Sequence, residues 1–162
     1  MKIVLLSDNH RDLYSIHYIQ KKYADLPYRV HCGDNGLLPE QMEGFTAVAG
    51  NMDFWDYPPE IVLEIEGHRI LVLHGHMLFP SYRADHDLLA AAAKQQGCDA
   101  VFYGHTHLYY DGTVNGVRML NPGSIYRNRD ESPRCFMEVE ITEDAVTAKR
   151  INFNMAMALG EL

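Results

Sequence analysis

Residues Val101–His107 read VFYGHTH: a short apolar run enters a loop that begins at Gly104 and carries two histidines. Short β-branched or aromatic runs that end at glycine are typical of buried strands. Four other segments have the same form, an apolar run followed by a loop with metal-binding side chains: Ile3–Leu6 before Asp8 and His10, Arg29–Val30 before Asp34, Ala47–Ala49 before Asn51, and Ile70–Leu73 before His74.

These loops are expected to meet in one place. In open α/β sheets, ligands gather just beyond the carboxyl ends of the strands. In an extended segment, residues two apart point the same way, so Asp8 should face the site with His10, and His105 with His107. Carboxylate, amide and imidazole donors suit manganese, iron, zinc, cobalt or nickel rather than a thiolate cluster. The predicted metal ligands are Asp8, His10, Asp34, Asn51, His74, His105 and His107.

The rest of the chain predicts an α/β fold. Helices are expected at Leu13–Ala24, capped by Asp12, and from Asp87 to near Gly97. Strands and helices alternate in the first half and hairpins follow in the second, which predicts two packed sheets with helices outside, in one domain over residues 1–162. The remaining expected strands are Lys2–Leu6, Tyr28–His31, Phe45–Ala49, Ile61–Ile65, His68–Leu73, Tyr109–Val114, Val117–Leu120, Cys135–Ile141 and Val146–Ile151.

Composition limits the classes of partner. The net charge is −8 and lysine and arginine form no cluster, which argues against binding a long nucleic acid. Two divalent ions would reverse the local field, so a small phosphorylated substrate is compatible with this charge. The apolar runs are far shorter than the roughly 20 residues of a membrane span, and no secretory pattern is present. We therefore expect a cytoplasmic protein without membrane contact.

Several residues near the predicted ligands have two interpretations each. His76 follows His74 by two positions, so it either supports the metal site or contacts the leaving group. Asp53 either orients a ligand imidazole or a metal-bound water, or caps its loop. Arg129 either clamps a phosphate or is a solvated loop residue. The other histidines, by contrast, are predicted to be structural or solvent-facing: His17, His31, His68 and His86.

The sequence also suggests roles for two further segments and for a set of aromatic residues. The sequence Asn121-Pro122-Gly123 is predicted to be the turn that ends a strand. The tail Met155–Leu159 offers apolar surface either to the core or to a subunit contact. A homo-oligomer is therefore one of the possible states of the protein. Five aromatic residues that follow Asn51 or the double histidine either stack on an aryl or nucleobase group or pack within the protein: Phe54, Trp55, Tyr57, Tyr109 and Tyr110.

The motifs together resemble a known family. The blocks Asp8-Asn9-His10, Gly33-Asp34, Gly50-Asn51, His74-Gly75-His76 and Gly104–His107 resemble the signature blocks of the calcineurin-like metallophosphoesterase superfamily. Residues 121–124, with the short chain length, resemble its small bacterial YfcE-like phosphodiesterase branch. The resemblance implies a four-layer αββα sandwich of two mixed β-sheets flanked by helices, and two divalent metal ions, with manganese the first expectation.

The resemblance also implies an assignment of ligands and a reaction. One ion would take Asp8, His10 and His107; the other would take Asn51, His74 and His105, with Asp34 between them. A hydroxide bridging the two ions would hydrolyse a phosphate ester, and Asn51 and Arg129 are the candidate substrate contacts.

The type of ester remains open. A phosphodiesterase is expected, with a phosphomonoesterase using the same site and a noncatalytic protein-binding scaffold as alternatives. Larger relatives carry a histidine where this chain has Met52, and that histidine is thought to assist the leaving group. We therefore expect activated aryl diesters to react faster than alkyl esters.

Overall fold

The computed structural model of the chain describes residues 1–161. It contains ten strands, three α-helices and one short 3-10 helix at Pro39–Met42. The strands are β1 (Lys2–Leu6), β2 (Arg29–His31), β3 (Phe45–Ala47), β4 (Glu60–Ile65), β5 (His68–Leu73), β6 (Ala100–Phe102), β7 (Tyr109–Val114), β8 (Val117–Pro122), β9 (Cys135–Ile141) and β10 (Val146–Asn152). The helices are α1 (Leu13–Lys22), α2 (His86–Gln95) and α3 (Met155–Glu161).

The strands form two mixed five-stranded sheets. The first sheet has the order β10-β9-β1-β2-β3, in which β1, β2 and β3 are parallel and β9 is antiparallel to both of its neighbours. The second has the order β4-β5-β6-β8-β7, in which β5, β6 and β8 are parallel and the two edge strands are antiparallel.

The sheets pack face to face, and helices cover their outer faces. Along β1, Ile3 and Leu5 belong to the core between the sheets, whereas Val4 and Leu6 pack against α1. This alternation follows from the two-residue period of a strand that is buried on both faces. The outer face of the second sheet packs on Leu89 and its neighbours in α2. The predicted four-layer αββα sandwich is confirmed.

Most predicted boundaries agree with the structure to within two residues. Helix α1 ends at Lys22 rather than Ala24, because Tyr23 already has a non-helical backbone and its N–H closes the last turn on Ile19. The turn predicted at Asn121-Pro122-Gly123 is wrong in its first two residues. Asn121 and Pro122 continue β8 and pair with β7, and the chain turns only at Gly123, whose φ is +71°.

The helices are short. Within the described part of the chain, none is long and apolar enough to cross a membrane. Helix α3 includes the apolar tail Met155–Leu159, for which the sequence allowed packing in the core or contact with another subunit. Its Ala158 is buried in the cluster that α1 shares with the first sheet, whereas Leu159 is exposed.

The topology places the loops of interest side by side. Because β1, β2 and β3 run parallel, the loops that follow them all lie at the carboxyl ends of these strands, on one side of the first sheet. The loops after the parallel strands β5 and β6 lie together at one end of the second sheet in the same way. Backbone hydrogen bonds join neighbouring loops, from Asp8 N–H to Gly33 O (3.0 Å) and from Gly104 N–H to His74 O (3.1 Å). The loops of the two sheets meet where the backbone N–H of His105 donates to Oδ2 of Asp8 at 3.2 Å.

Candidate metal centre

A first group of candidate ligands consists of Asp8, His10 and His107. Oδ1 of Asp8 lies 3.2 Å from Nε2 of His107 and 3.7 Å from Nε2 of His10. The two Nε2 atoms are themselves 2.9 Å apart. Donor atoms from the loops after β1 and β6 therefore converge, and they are the same three residues that the resemblance implies for one ion.

A second group shares Asp8 with the first and adds Asp34 and His74. Nε2 of His74 lies 3.3 Å from Oδ2 of Asp34 and 3.9 Å from Oδ1 of Asp8. The amide oxygen of Asn51 is 3.1 Å from the same nitrogen. His105 stands next to this group, with its ring centroid 5.1 Å from that of His74. The structure thus brings all seven predicted ligands together around Asp8.

Backbone carbonyl groups hold three of the imidazoles in place. His74 donates from Nδ1 to Cys32 O (2.7 Å), and His107 donates from Nδ1 to Arg127 O (2.9 Å). His105 donates from Nε2 to Pro80 O (3.1 Å). A carbonyl only accepts, so the facing nitrogen carries the proton and a neutral ring keeps a lone pair on its other nitrogen. This is how proteins usually orient histidines that bind metals.

The buried carboxylate of Asp8 fits a cation. Its Oδ2 accepts hydrogen bonds from Ser7 Oγ (2.5 Å) and the His105 N–H, but its Oδ1 is buried without a hydrogen-bond partner in the described chain. A buried, unpartnered anionic oxygen is unfavourable, and metal coordination is one of the few ways to compensate it. Because the donors around it are imidazoles and a second carboxylate, the site has the chemistry of a divalent metal centre.

Electrostatics at the centre point the same way. Burial raises the pKa of Asp8, but the neighbouring His74, His10 and His107 outweigh burial and hold that pKa well below its usual range. Burial lowers the pKa of His74, but the carboxylates of Asp8 and Asp34 overcome this and raise the pKa to about 9. The carboxylate charge is thus balanced by a proton that a metal ion has to displace from His74.

The backbone of the ligand loops is not extended, which corrects one step of the sequence argument. Five of the seven candidate ligands have positive φ angles: Asp8 (58°), His10 (45°), Asp34 (59°), His105 (72°) and His107 (56°). Residues other than glycine rarely adopt this left-handed backbone conformation, and those that do are concentrated at functional sites. The paired ligands still face one site, but they do so because the backbone turns at each of them.

Two glycines allow the loops to approach closely. A Cβ atom on Gly50 would lie 2.1 Å from Oδ1 of Asp34, and one on Gly104 would lie 2.2 Å from Oγ of Ser7. Neither contact has room for a side chain. Gly50 and Gly104, beside the predicted ligands, are therefore needed for the close packing of the loops.

Asp53 holds the loops rather than an imidazole. Its Oδ2 accepts from the N–H groups of Asp34 (2.9 Å) and Gly50 (2.7 Å), and its Oδ1 accepts from the N–H of Gly36 (2.8 Å). These three backbone hydrogen bonds use both carboxylate oxygens of Asp53, because the two loops run past them. Of the two interpretations of Asp53, the structure supports the loop-capping one.

Two other predicted residues lie beside the centre. The ring of His76 is 5.4 Å from that of His74 and 6.3 Å from that of His105, and its Nδ1 is buried without a partner in the described chain. Arg129 is exposed, and its guanidinium lies 3.3 Å above the ring of Tyr82. The backbone N–H of Arg129 donates to the backbone oxygen of His107 at 3.0 Å.

Residues outside the predicted site set, His31 and Ser124, also support the ligands. His31 is buried, accepts the Gly33 N–H at Nδ1 (3.0 Å) and donates from Nε2 to Asn9 (2.8 Å). Burial lowers the pKa of His31 to about 4, so the ring is neutral. Ser124 donates its hydroxyl to Asp8 O at 2.8 Å. The only sequence signal was that Asn9 and Gly33 adjoin predicted ligands.

A second set of supporting contacts surrounds the double-histidine loop. The side-chain amide of Asn121 donates to Gly104 O (3.3 Å) and to Thr106 Oγ1 (3.0 Å), and its oxygen accepts the Gly123 N–H (2.9 Å). The segment predicted to be only a turn is thus a buried clamp on the loop that carries His105.

Two cavities flank the centre, and His10 lines both. The first, about 450 Å³, is bounded by Tyr126, Arg127 and Arg129 on the side of His107. The second, about 360 Å³, is bounded by Met52 and its neighbours on the side of Asp34. A phosphate bound at the centre has room on either side for an attached group.

Comparison with known proteins agrees with the motifs. Residues 1–144 match the model of the calcineurin-like phosphoesterase superfamily domain. The chain is 30% identical to the probable metallophosphoesterase YsnB of Bacillus subtilis over 155 residues, which is 92% of this chain and 89% of YsnB.

Solved structures show the same fold. A predicted phosphoesterase of Streptococcus pneumoniae TIGR4 is 27% identical, with a TM-score of 0.80 over 94% of this chain and 97% of that one. The phosphoesterase YfcE of E. coli is 19% identical, with a TM-score of 0.64 over 95% of this chain and all of that one. The predicted resemblance is confirmed: the chain belongs to the calcineurin-like phosphoesterase superfamily.

Proposed function

We propose that this protein is a phosphodiesterase that uses two divalent metal ions, with manganese the first expectation. The observation that carries the proposal is the buried, unpartnered Oδ1 of Asp8, which belongs to both groups of candidate ligands. One carboxylate at the junction of two donor sets favours two adjacent ions over a single ion.

The chemistry divides between ions and protein. Two such ions activate water near neutral pH and neutralise charge on a phosphoryl group. The protein keeps the donors rigid: carbonyl groups fix the rings of His74, His105 and His107, and Asp53 ties the loops of Asp34 and Asn51 together. Such positioning accounts for much of the catalysis in phosphoryl transfer.

The two cavities support a diester as substrate. A phosphodiester carries two substituents and a monoester carries one. Because both cavities include His10, a phosphorus atom at the centre would direct one substituent into each. A monoester would leave one cavity without a role, so we rank it second.

The leaving group receives little help from the position after Asn51. Met52 is half exposed there and offers no acidic proton. The ring of His76, which is outside the predicted ligand set, lies 5.4 Å from that of His74, and we propose that His76 contacts the leaving group. Turnover should therefore depend strongly on how good the leaving group is.

The direct test combines metal analysis with hydrolysis of bis(p-nitrophenyl) phosphate, with and without manganese. Stimulated release of p-nitrophenol, faster than from p-nitrophenyl phosphate, is expected. A larger rate with the monoester would support a phosphomonoesterase, and absence of both metal and hydrolysis would support a scaffold. Across symmetric diesters whose leaving alcohol rises in pKa from p-nitrophenol to an alkyl alcohol, the rate should fall steadily. Equal rates would contradict the role given to Met52.

A further inference from the structure

The loop after Asn51 exposes two aromatic side chains. Phe54 is 85% exposed and Trp55 is 50% exposed, next to the half-exposed Met52. The other three of the five aromatic residues have partners within the protein. Tyr57 donates to Leu37 O. In β7, Tyr109 packs against the core between the sheets, and Tyr110 stacks on His86 with 4.2 Å between ring centroids. Packing thus accounts for those residues and leaves Phe54 and Trp55 unexplained.

These side chains line the cavity on the Asp34 side of the metal centre. That cavity also contains His10 and Asp34 themselves, so a group bound there lies next to whatever the centre holds. Its volume of about 360 Å³ is within the range of small-ligand pockets. An exposed apolar surface that is continuous with a metal centre is the expected form of a substrate pocket.

Arg11 supplies the polar part of this cavity. Its φ is +72°, and its aliphatic stem packs over Gly36, where a Cβ atom would lie 2.4 Å from Cγ of Arg11. No ion pair among residues 1–161 involves Arg11, although the chain has a net charge of −8. An unpaired guanidinium stacks well on planar rings and also favours an anion nearby.

We propose that this aromatic cavity, formed by Arg11, Met52, Phe54 and Trp55 beside His10 and Asp34, binds a planar aromatic group attached to the phosphorus centre of the substrate. The inference rests on the proposed function and narrows its substrate class to aromatic phosphate esters. Flat aromatic walls and a guanidinium favour a planar ring over an alkyl group of similar hydrophobicity, because only the ring gains stacking contacts.

The test uses two anions that cannot be hydrolysed and whose substituents both have six carbons, the planar diphenylphosphinate and the non-planar dicyclohexylphosphinate. Titration calorimetry on the manganese-loaded protein should give a Kd at least roughly fivefold lower for the diphenyl anion, the lower end of what one aromatic stacking contact contributes. Trp55 is the only tryptophan in the chain, so its fluorescence reports the cavity directly. Diphenylphosphinate should change that fluorescence, and dicyclohexylphosphinate should change it less.

Variants locate the preference. Trp55→Ala and Phe54→Ala should each reduce the ratio of the two Kd values toward one, whereas Tyr14→Ala should leave it unchanged. Tyr14 is a matched control because it is 49% exposed and lines neither cavity. Circular dichroism checks that each variant is folded. Equal affinities for the two anions in the unmodified protein, or no binding of either, would overturn the inference.

The outcomes separate this inference from the proposed function. Metal-stimulated hydrolysis together with equal phosphinate affinities would overturn the aromatic cavity and leave the phosphodiesterase intact. A clear preference for the aromatic anion without hydrolysis would support the aromatic cavity and overturn the phosphodiesterase. A dimer in sedimentation experiments that Trp55→Ala abolishes, together with equal affinities, would assign the surface to a second copy of the chain.

Discussion

Gly50 and Asp34 are so close that no side chain fits between them. A Cβ atom on Gly50 would lie 2.1 Å from Oδ1 of Asp34 and 2.4 Å from its backbone nitrogen. The same Oδ1 accepts the Met52 N–H at 2.8 Å, so it has no free direction in which to retreat. The backbone of one ligand loop therefore fixes the carboxylate of another.

The first prediction concerns this contact. Gly50→Ala should push the Asp34 carboxylate away from His74 and weaken manganese binding by at least roughly tenfold, as losses of supporting contacts around metal ligands usually do. Metal content after loading and desalting, together with circular dichroism, measures the effect. Gly160→Ala is the control, because a Cβ there meets nothing within 4 Å. Unchanged manganese affinity in Gly50→Ala would show that the loops can separate.

The second prediction distinguishes a shared ligand from an unshared one. Asp34→Ala should remove both ions, because the family resemblance implies that its carboxylate lies between them, although Asp8 is the residue that the two donor groups share. His107→Ala should chiefly remove one ion. Metal stoichiometry per chain after manganese loading gives the answer directly. His17→Ala, at an exposed position of α1, serves as the histidine control. Full occupancy of both sites in Asp34→Ala would exclude the proposed bridging role.

The third prediction concerns Asp53 as the tie between loops. Asp53→Asn keeps the shape but exchanges one acceptor oxygen for an amide that cannot accept from a backbone N–H. We expect a loss of about 1–3 kcal/mol in the free energy of unfolding, the usual cost of leaving a buried group unpaired. Urea unfolding of the metal-free protein measures it. Asp56→Asn, at an exposed neighbouring position, should change this free energy little, and equal losses in the two variants would contradict the capping role.

Much of the fold was accessible from the sequence. Strands such as Lys2–Leu6 and His68–Leu73 agree with the structure at both ends, because buried apolar runs bounded by polar or glycine residues leave little choice of boundary. The convergence of the loops followed from strand direction alone. Asn121 and Pro122 were misassigned because Asn-Pro-Gly has strong turn chemistry, and only the pairing of β8 with β7 overrides it.

The fine geometry of the site was not accessible in this way. The positive φ angle of Asp8 and the neutral, buried state of His31 both depend on contacts between loops far apart in the chain. Local sequence reports which side chains are competent donors, but it does not report which backbone carbonyl will face each ring. The sequence offered loop capping as one role of Asp53, but it could not identify the three N–H groups that Asp53 binds, because they belong to two different loops.

His68 connects the two sheets at some distance from the strand-end metal centre. It begins β5 in the second sheet, and its Nδ1 lies 2.6 Å from Oδ2 of Asp99 while its Nε2 lies 2.8 Å from O of Thr142, in the turn that joins β9 to β10. Both partners only accept hydrogen bonds, so the ring satisfies them fully only when both nitrogens are protonated. Desolvation lowers the pKa of His68, but Asp99 and Thr142 outweigh it and raise the pKa above its usual value.

The last prediction follows from the sign of that shift. A raised pKa in the folded state means that the stabilisation is complete below the unfolded pKa of about 6.5 and is lost as pH rises through the folded value. The difference in unfolding free energy between the unmodified protein and His68→Ala should therefore be larger at about pH 6 than at about pH 9. Urea unfolding at both pH values measures it. Asp99→Asn removes the negative charge and should shrink the pH dependence, whereas a difference that stays constant with pH would show that His68 acts as a neutral spacer.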